Sequence, residues 1–114
     1  YYKKMNMKTG LLLKTDGSIS NYTLDMAPLT NNIGELLDDK ITFLGQLVRE
    51  PLKCNAIIMY SKNTKQRKLS LNKCKLPAPF QDEIIYGDIF IICMDEESEP
   101  QNFTIDDYNE YSIN

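Results

Sequence analysis

Apolar residues recur along this chain at strand spacing far more often than at helix spacing. Leu11–Leu13 and the alternating Ile19, Tyr22 and Leu24 flank Asp16-Gly17, which predicts a β-hairpin over Gly10–Leu24 closed by a tight two-residue turn. Asn31, Asn32 and Glu35 mark a helix start, with Asn32 as the cap and Ile33, Leu36 and Leu37 as a one-turn apolar face. Ile41–Val48 alternates as a further strand, with Gly45 placed as a bulge. Beyond Pro51, Cys54–Tyr60 is continuous enough to be a central strand buried on both faces. Lys68–Leu71 reads as the returning strand of a second hairpin, and Leu76-Pro77-Ala78-Pro79 as a rigid, extended connection, since proline lacks the ladder donor. Tyr86-Gly87-Asp88 predicts a turn, and Ile89–Met94 the most deeply buried strand. Asp95–Pro100 reads as an acidic loop, and Thr104-Ile105-Asp106-Asp107 has the spacing of a capping box opening a short terminal helix. The pattern predicts an α+β fold: a mostly antiparallel sheet built from hairpins, with one or two short helices.

Length and composition narrow this to one folded domain. The chain has 114 residues, 42 % hydrophobic and 25 % charged, which suits a single core rather than disorder. Residues 1–8, which open on Tyr1 rather than Met, read as a flexible tail, and 9–114 as the domain. No apolar run approaches the roughly 18 to 20 residues a membrane span needs, and Leu11–Leu13 is too short for a signal peptide. The three cysteines, Cys54, Cys74 and Cys93, are odd in number and widely spaced, which fits small core residues in an intracellular reducing compartment. Without secretion, the triplets Asn21–Thr23 and Asn102–Thr104 carry no glycosylation signal.

Charge changes the picture more than composition does. The net charge is only −3, yet Arg49, Lys53, Lys62, Lys65, Arg67, Lys68, Lys73 and Lys75 crowd the middle against Glu50 alone. From residue 81 onward there is no Lys or Arg, while Asp95, Glu96, Glu97 and Glu99 head a long acidic series. One reading makes Lys62, Lys65, Arg67, Lys68, Lys73 and Lys75 a phosphate- or nucleic-acid-binding hairpin tip. The opposing reading makes both halves solvated faces, or faces that meet each other. A pI near 4.9 and the lack of interleaved aromatics favour the second.

Catalytic chemistry finds little to work with. The chain has no histidine, which removes Ser-His-Asp and Cys-His nucleophilic systems and the commonest neutral metal ligand together. The cysteines lack zinc-ligand spacing, and no glycine-rich phosphate loop exists, so no cofactor or metal is expected. Clustered carboxylates at Asp38-Asp39, Asp82-Glu83, Asp95-Glu96-Glu97 and Asp106-Asp107 are better explained as loop and helix-start residues. The reading is therefore a non-enzymatic protein that binds. Tyr22, Tyr60, Tyr86, Tyr108 and Tyr111 are its interface candidates, because tyrosine combines apolar area with a polar tip. Sheet edges add a route to partners or to a homodimer by strand addition.

Asp16-Gly17-Ser18-Ile19, the Leu-rich helix before Ile41–Gly45, Leu71-Asn72, Leu76–Phe80, Gly87–Ile91 and Phe103–Tyr108 together resemble small uncharacterised proteins of large cytoplasmic DNA viruses. The resemblance covers the chain from Gly10 onward and lends no catalytic residue. It implies a protein made in an infected host, working in the cytoplasm or packaged in the virion, through viral or host protein partners.

Overall fold

The computed structural model describes residues 6–26, 32–37, 40–49, 54–63 and 68–112, excluding the side chains of Arg49, Tyr111 and Ser112. The described elements are β1 (Met7–Leu13), β2 (Ile19–Asp25), α1 (Asn32–Leu37), β3 (Ile41–Arg49), β4 (Cys54–Ser61), β5 (Ile89–Met94), β6 (Pro100–Gln101) and α2 (Ile105–Ser112). Every pairing among the strands is antiparallel, in the order β2-β1-β5-β4-β3, with β6 on the end of β5. The fold is thus α+β, a mostly antiparallel sheet with two short helices.

Burial explains the order. Ile89–Cys93 has the most continuous apolar run, and β5 takes the centre of the sheet, with both faces covered. Its odd-numbered side chains, Ile89, Ile91 and Cys93, point into a larger core with Leu11, Leu13, Ala56 and Ile58. That face is roofed by the long β4–β5 connection, through Leu76 and Ile85, and by Phe103 and Tyr108. Its even-numbered side chains, Phe90 and Ile92, form a second core with Leu12 and Met59, which α1 covers through Ile33, Leu36 and Leu37.

Several expectations meet corrections. β1 begins at Met7 rather than Gly10, so Met7 and Lys8 of the expected tail pair with Asp25 and Leu24. Asn6 extends the pairing by accepting from Met26 N–H. The β1–β2 turn has three residues between Lys14 and Ser18, not two. Lys14 N–H donates to Ser18 O, Gly17 N–H donates to Lys14 O, and Gly17 holds the positive φ of 94° that a one-residue bulge requires. Lys68–Leu71 does not return as a strand: only Leu71 makes an isolated bridge, with Tyr86. Pro77–Phe80 is a turn rather than extended, closed by Phe80 N–H on Pro77 O across a cis Ala78–Pro79 bond. The bulge expected at Gly45 is present, as a register shift between Phe43 and Gly45. Asn31, Asp38, Asp39, Pro51 and residues 64–67 lie outside the described residues, while Asn63 lies within them, in a turn.

Candidate interaction surface

The sheet's second core is only partly roofed. Of this face, α1 covers the part around Leu12, Met59, Phe90 and Ile92, through Ile33, Leu36 and Leu37. Exposed apolar side chains lie at the β3–β4–β5 corner, where the bulge sets the side-chain directions. Leu44 and Gly45 both turn toward the larger core, and the Phe80 ring packs so closely on Gly45 that a Cβ there would lie 2.5 Å from it. Phe43 and Gln46 therefore face the other way, opposite Met59 and Ile57. The result is an open groove of about 740 Å³ lined by Phe43, Gln46, Asn55, Ile57, Met94 and Asp95, among others. Phe43 is 64 % exposed and Val48, on the same face beyond Gln46, 60 %. β3 is also an outer strand of the sheet.

The acidic loop forms one wall. Asp95 and Ser98 line the groove, and Glu96, Glu97 and Glu99 are exposed on the same turn. Asp95 organises that turn: its Oδ1 accepts from Glu99 N–H at 3.0 Å and Glu97 N–H at 2.9 Å, and its Oδ2 from Gln101 Nε2 at 3.0 Å. Glu99, Gln101 and Glu97, in that order, hold its carboxyl below the usual carboxylate range. The groove is consequently apolar on its floor and negative at its rim.

The interface tyrosines expected from the sequence are dispersed. Tyr22 is exposed on outer strand β2, and Tyr86 is exposed beside Leu71 at the far end of the sheet. Tyr60 is half-buried against the larger core. Tyr108 is buried, and its hydroxyl donates to Lys75 O at 2.6 Å. The side chain of Tyr111 lies outside the described residues. Of the basic series, Lys62, Lys68, Lys73 and Lys75 are exposed, while Lys65 and Arg67 lie outside the described residues. Phe43, Val48, Ile57 and Met94 escaped the sequence reading because an apolar strand position looks the same whether or not something covers it.

The remaining titratable groups have structural partners. Asp88 accepts Thr15 N–H, and Asp107 accepts both the N–H and the hydroxyl of Thr104, completing the expected capping box. Burial first, then Asp16 and Asp88, pushes the Cys74 thiol up, and its Sγ lies against Lys14 O and Ser18 O. Cys93 is fully buried, and none of the three cysteines is joined in a disulfide. Among the described residues no three Cys, Asp or Glu side chains gather closely enough to hold a metal ion. No helix among them is long and apolar enough to cross a membrane.

No curated protein matches the sequence. Among solved structures, the chain is similar to one described as the crystal structure of small RNA methyltransferase HEN1, with a TM-score of 0.70 at 11 % identity. The match covers 98 % of this chain but spans only 17 % of that one, so the likeness is one of fold, with a portion of a larger protein. Over residues 11–111 the sequence matches the model of a family of unknown function, DUF5880, and the chain belongs to that uncharacterised family.

Proposed function

We propose that this protein is a non-enzymatic interaction module whose β3–β4–β5 face receives a segment of a protein partner. The observation that carries the reading is the joint exposure of Phe43 and Val48 on one face of an outer strand, beside a groove with Ile57 and Met94. Contiguous exposed apolar area of this kind marks binding surfaces. The carboxylates of the 95–99 turn give the preferred segment its chemistry, an apolar anchor accompanied by Lys or Arg. In the setting implied by the resemblance to viral proteins, the partner is a viral or host protein and the module is carried in the particle.

A displayed peptide library selected against the purified chain tests the reading. Enriched peptides should combine an aromatic or aliphatic anchor with a basic residue. Phe43→Asp should weaken their binding at least tenfold, and Tyr22→Ala should leave it unchanged. Peptides that bind the Phe43→Asp protein as well as the parent would refute it. A second reading, phosphate or nucleic-acid binding, draws support from the exposure of Lys62, Lys68, Lys73 and Lys75.

A further inference from the structure

We propose that a second, smaller hollow, at the opposite end of β5 from the groove, binds a neutral sugar ring, with Asp88 receiving the ring's hydroxyls. The hollow measures about 310 Å³, within the range of roughly 300–1,000 Å³ usual for small-molecule sites. Five segments of the chain meet there. Asp88, at the entry to β5, accepts Thr15 N–H at 3.1 Å through Oδ1, which fixes it against the end of β1. Gly87 N–H donates to Ser70 O at 2.8 Å. A Cβ at Gly87 would lie 2.8 Å from Leu69 Cδ1, so residues 69–70 close tightly on residues 87–88. Buried Ser61, ending β4, and Leu36 and Leu37, ending α1, complete the lining.

Two kinds of group line the hollow. The hydroxyls of Thr15 and Ser70 and the Oδ2 of Asp88 have no hydrogen-bond partner among the described residues. A carboxylate oxygen only accepts, so it calls for a ligand that donates, while hydroxyls serve in either sense. Leu36, Leu37 and Leu69 are apolar and suit the C–H face of a ring. A carboxylate holding a ribose hydroxyl is likewise how dinucleotide-binding sites recognise their ligand.

Charge decides against an ion. Lys14 and Asp16 adjoin Thr15, Lys62 adjoins Ser61 and Lys68 adjoins Leu69, and all four are exposed. An ammonium ligand would approach these lysines and a phosphate would face Asp88, so neither sign of charge gains. A vicinal diol on an apolar ring carries no charge and uses both parts of the lining. The ribose of a nucleoside and a hexose share this chemistry.

Titration of the isotopically labelled full chain, followed through its backbone amide NMR signals, tests this with methyl ribofuranoside, methyl glucopyranoside, butylamine and inorganic phosphate as probes. At least one glycoside should shift the Thr15, Ser70 and Gly87 amides saturably, with a millimolar Kd that added salt leaves unchanged. A response to the ribofuranoside alone would identify ribose as the source and to the glucopyranoside alone a hexose; equal responses would mean that the diol itself is read. Asp88→Asn keeps an oxygen for Thr15 N–H but replaces the other acceptor with a donor, and should weaken binding about tenfold. Ser70→Ala, at an exposed residue, should weaken it about threefold and decides the matter if the Asp88 variant does not fold. No saturable shift with either glycoside, undiminished binding by the folded variants, or a response to butylamine or phosphate alone would overturn the proposal. Phe43→Asp should leave glycoside binding unchanged, so this site and the β3–β4–β5 face stand or fall separately.

Discussion

Two buried polar side chains hold together parts of the chain that no ladder joins. Asn72, only 8 % exposed, donates through Nδ2 to Leu13 O and Gly87 O and accepts Cys74 N–H, tying the β4–β5 connection to β1. Tyr108 does the same on the opposite side of that connection through its bond to Lys75 O. Burial, with a smaller effect of Cys74, pushes the Tyr108 hydroxyl up to about 12 from its ordinary value of 10. The folded chain thus holds this proton more tightly than the unfolded chain does. Its contribution to stability is complete below pH 10, declines as the pH rises, and is lost once the folded group titrates near 12. Tyr108→Phe should lower stability by about 1 kcal/mol at neutral pH and flatten the fall between pH 10 and 12, as read from urea melts of both proteins across that range. Parallel pH curves for the two proteins would show that this hydroxyl is not linked to folding.

Among the elements, the strand pair β1–β5 depends on a missing side chain. Gly10 lies where the Phe90 ring crosses β1, and a Cβ there would meet that ring and come within 2.8 Å of Ile91 O. A ring tip can shift, but a ladder carbonyl moves only with its strand. Gly10→Ala should therefore destabilise the fold by about 1–3 kcal/mol, lowering the urea midpoint at unchanged slope. An unchanged midpoint would mean that β1 and β5 separate freely at this point. The loops at the two ends of the sheet share one design. Lys14–Ser18 and Asp95–Glu99 each close with the same pair of backbone bonds, and each has a positive-φ fourth residue, Gly17 or Ser98. Ser98 does without glycine there, and Asp95 stabilises the turn by accepting two of its N–H groups.

For the molecule as a whole, separation of charge matters more than net charge. Lys62, Lys68 and Lys73 lie at one end of β5 and the 95–99 carboxylates at the other. The lysines share their end with the carboxylates of Asp16 and Asp88, which lie near Cys74. If that end serves phosphate, the protein should be retained on a phosphate matrix at low salt despite its sign. Added salt should release it steeply, and Lys73→Glu should abolish retention. Retention unaffected by Lys73→Glu would leave the basic end to protein contacts alone.

How far the sequence carries depends on the range of the interactions involved. Local signals sufficed for β5, for the Gly45 bulge and for the Thr104–Asp107 cap, since each rests on neighbouring residues and their backbone preferences. Lack of histidine and scattered thiols are likewise composition, visible without a fold. The departures all involve residues far apart in the chain. Lys68–Leu71 has strand character but finds only Tyr86 to pair with, and Pro77–Phe80 folds back where Phe80 can cover Gly45. The exposed apolar face of β3 was the least legible feature of all. Phe43 and Val48, five residues apart, would point to opposite faces of a regular strand; the bulge brings them to one face, where both are exposed. Periodicity states which side of a strand is apolar; whether that side meets protein or solvent is settled by the extent of whatever packs on it.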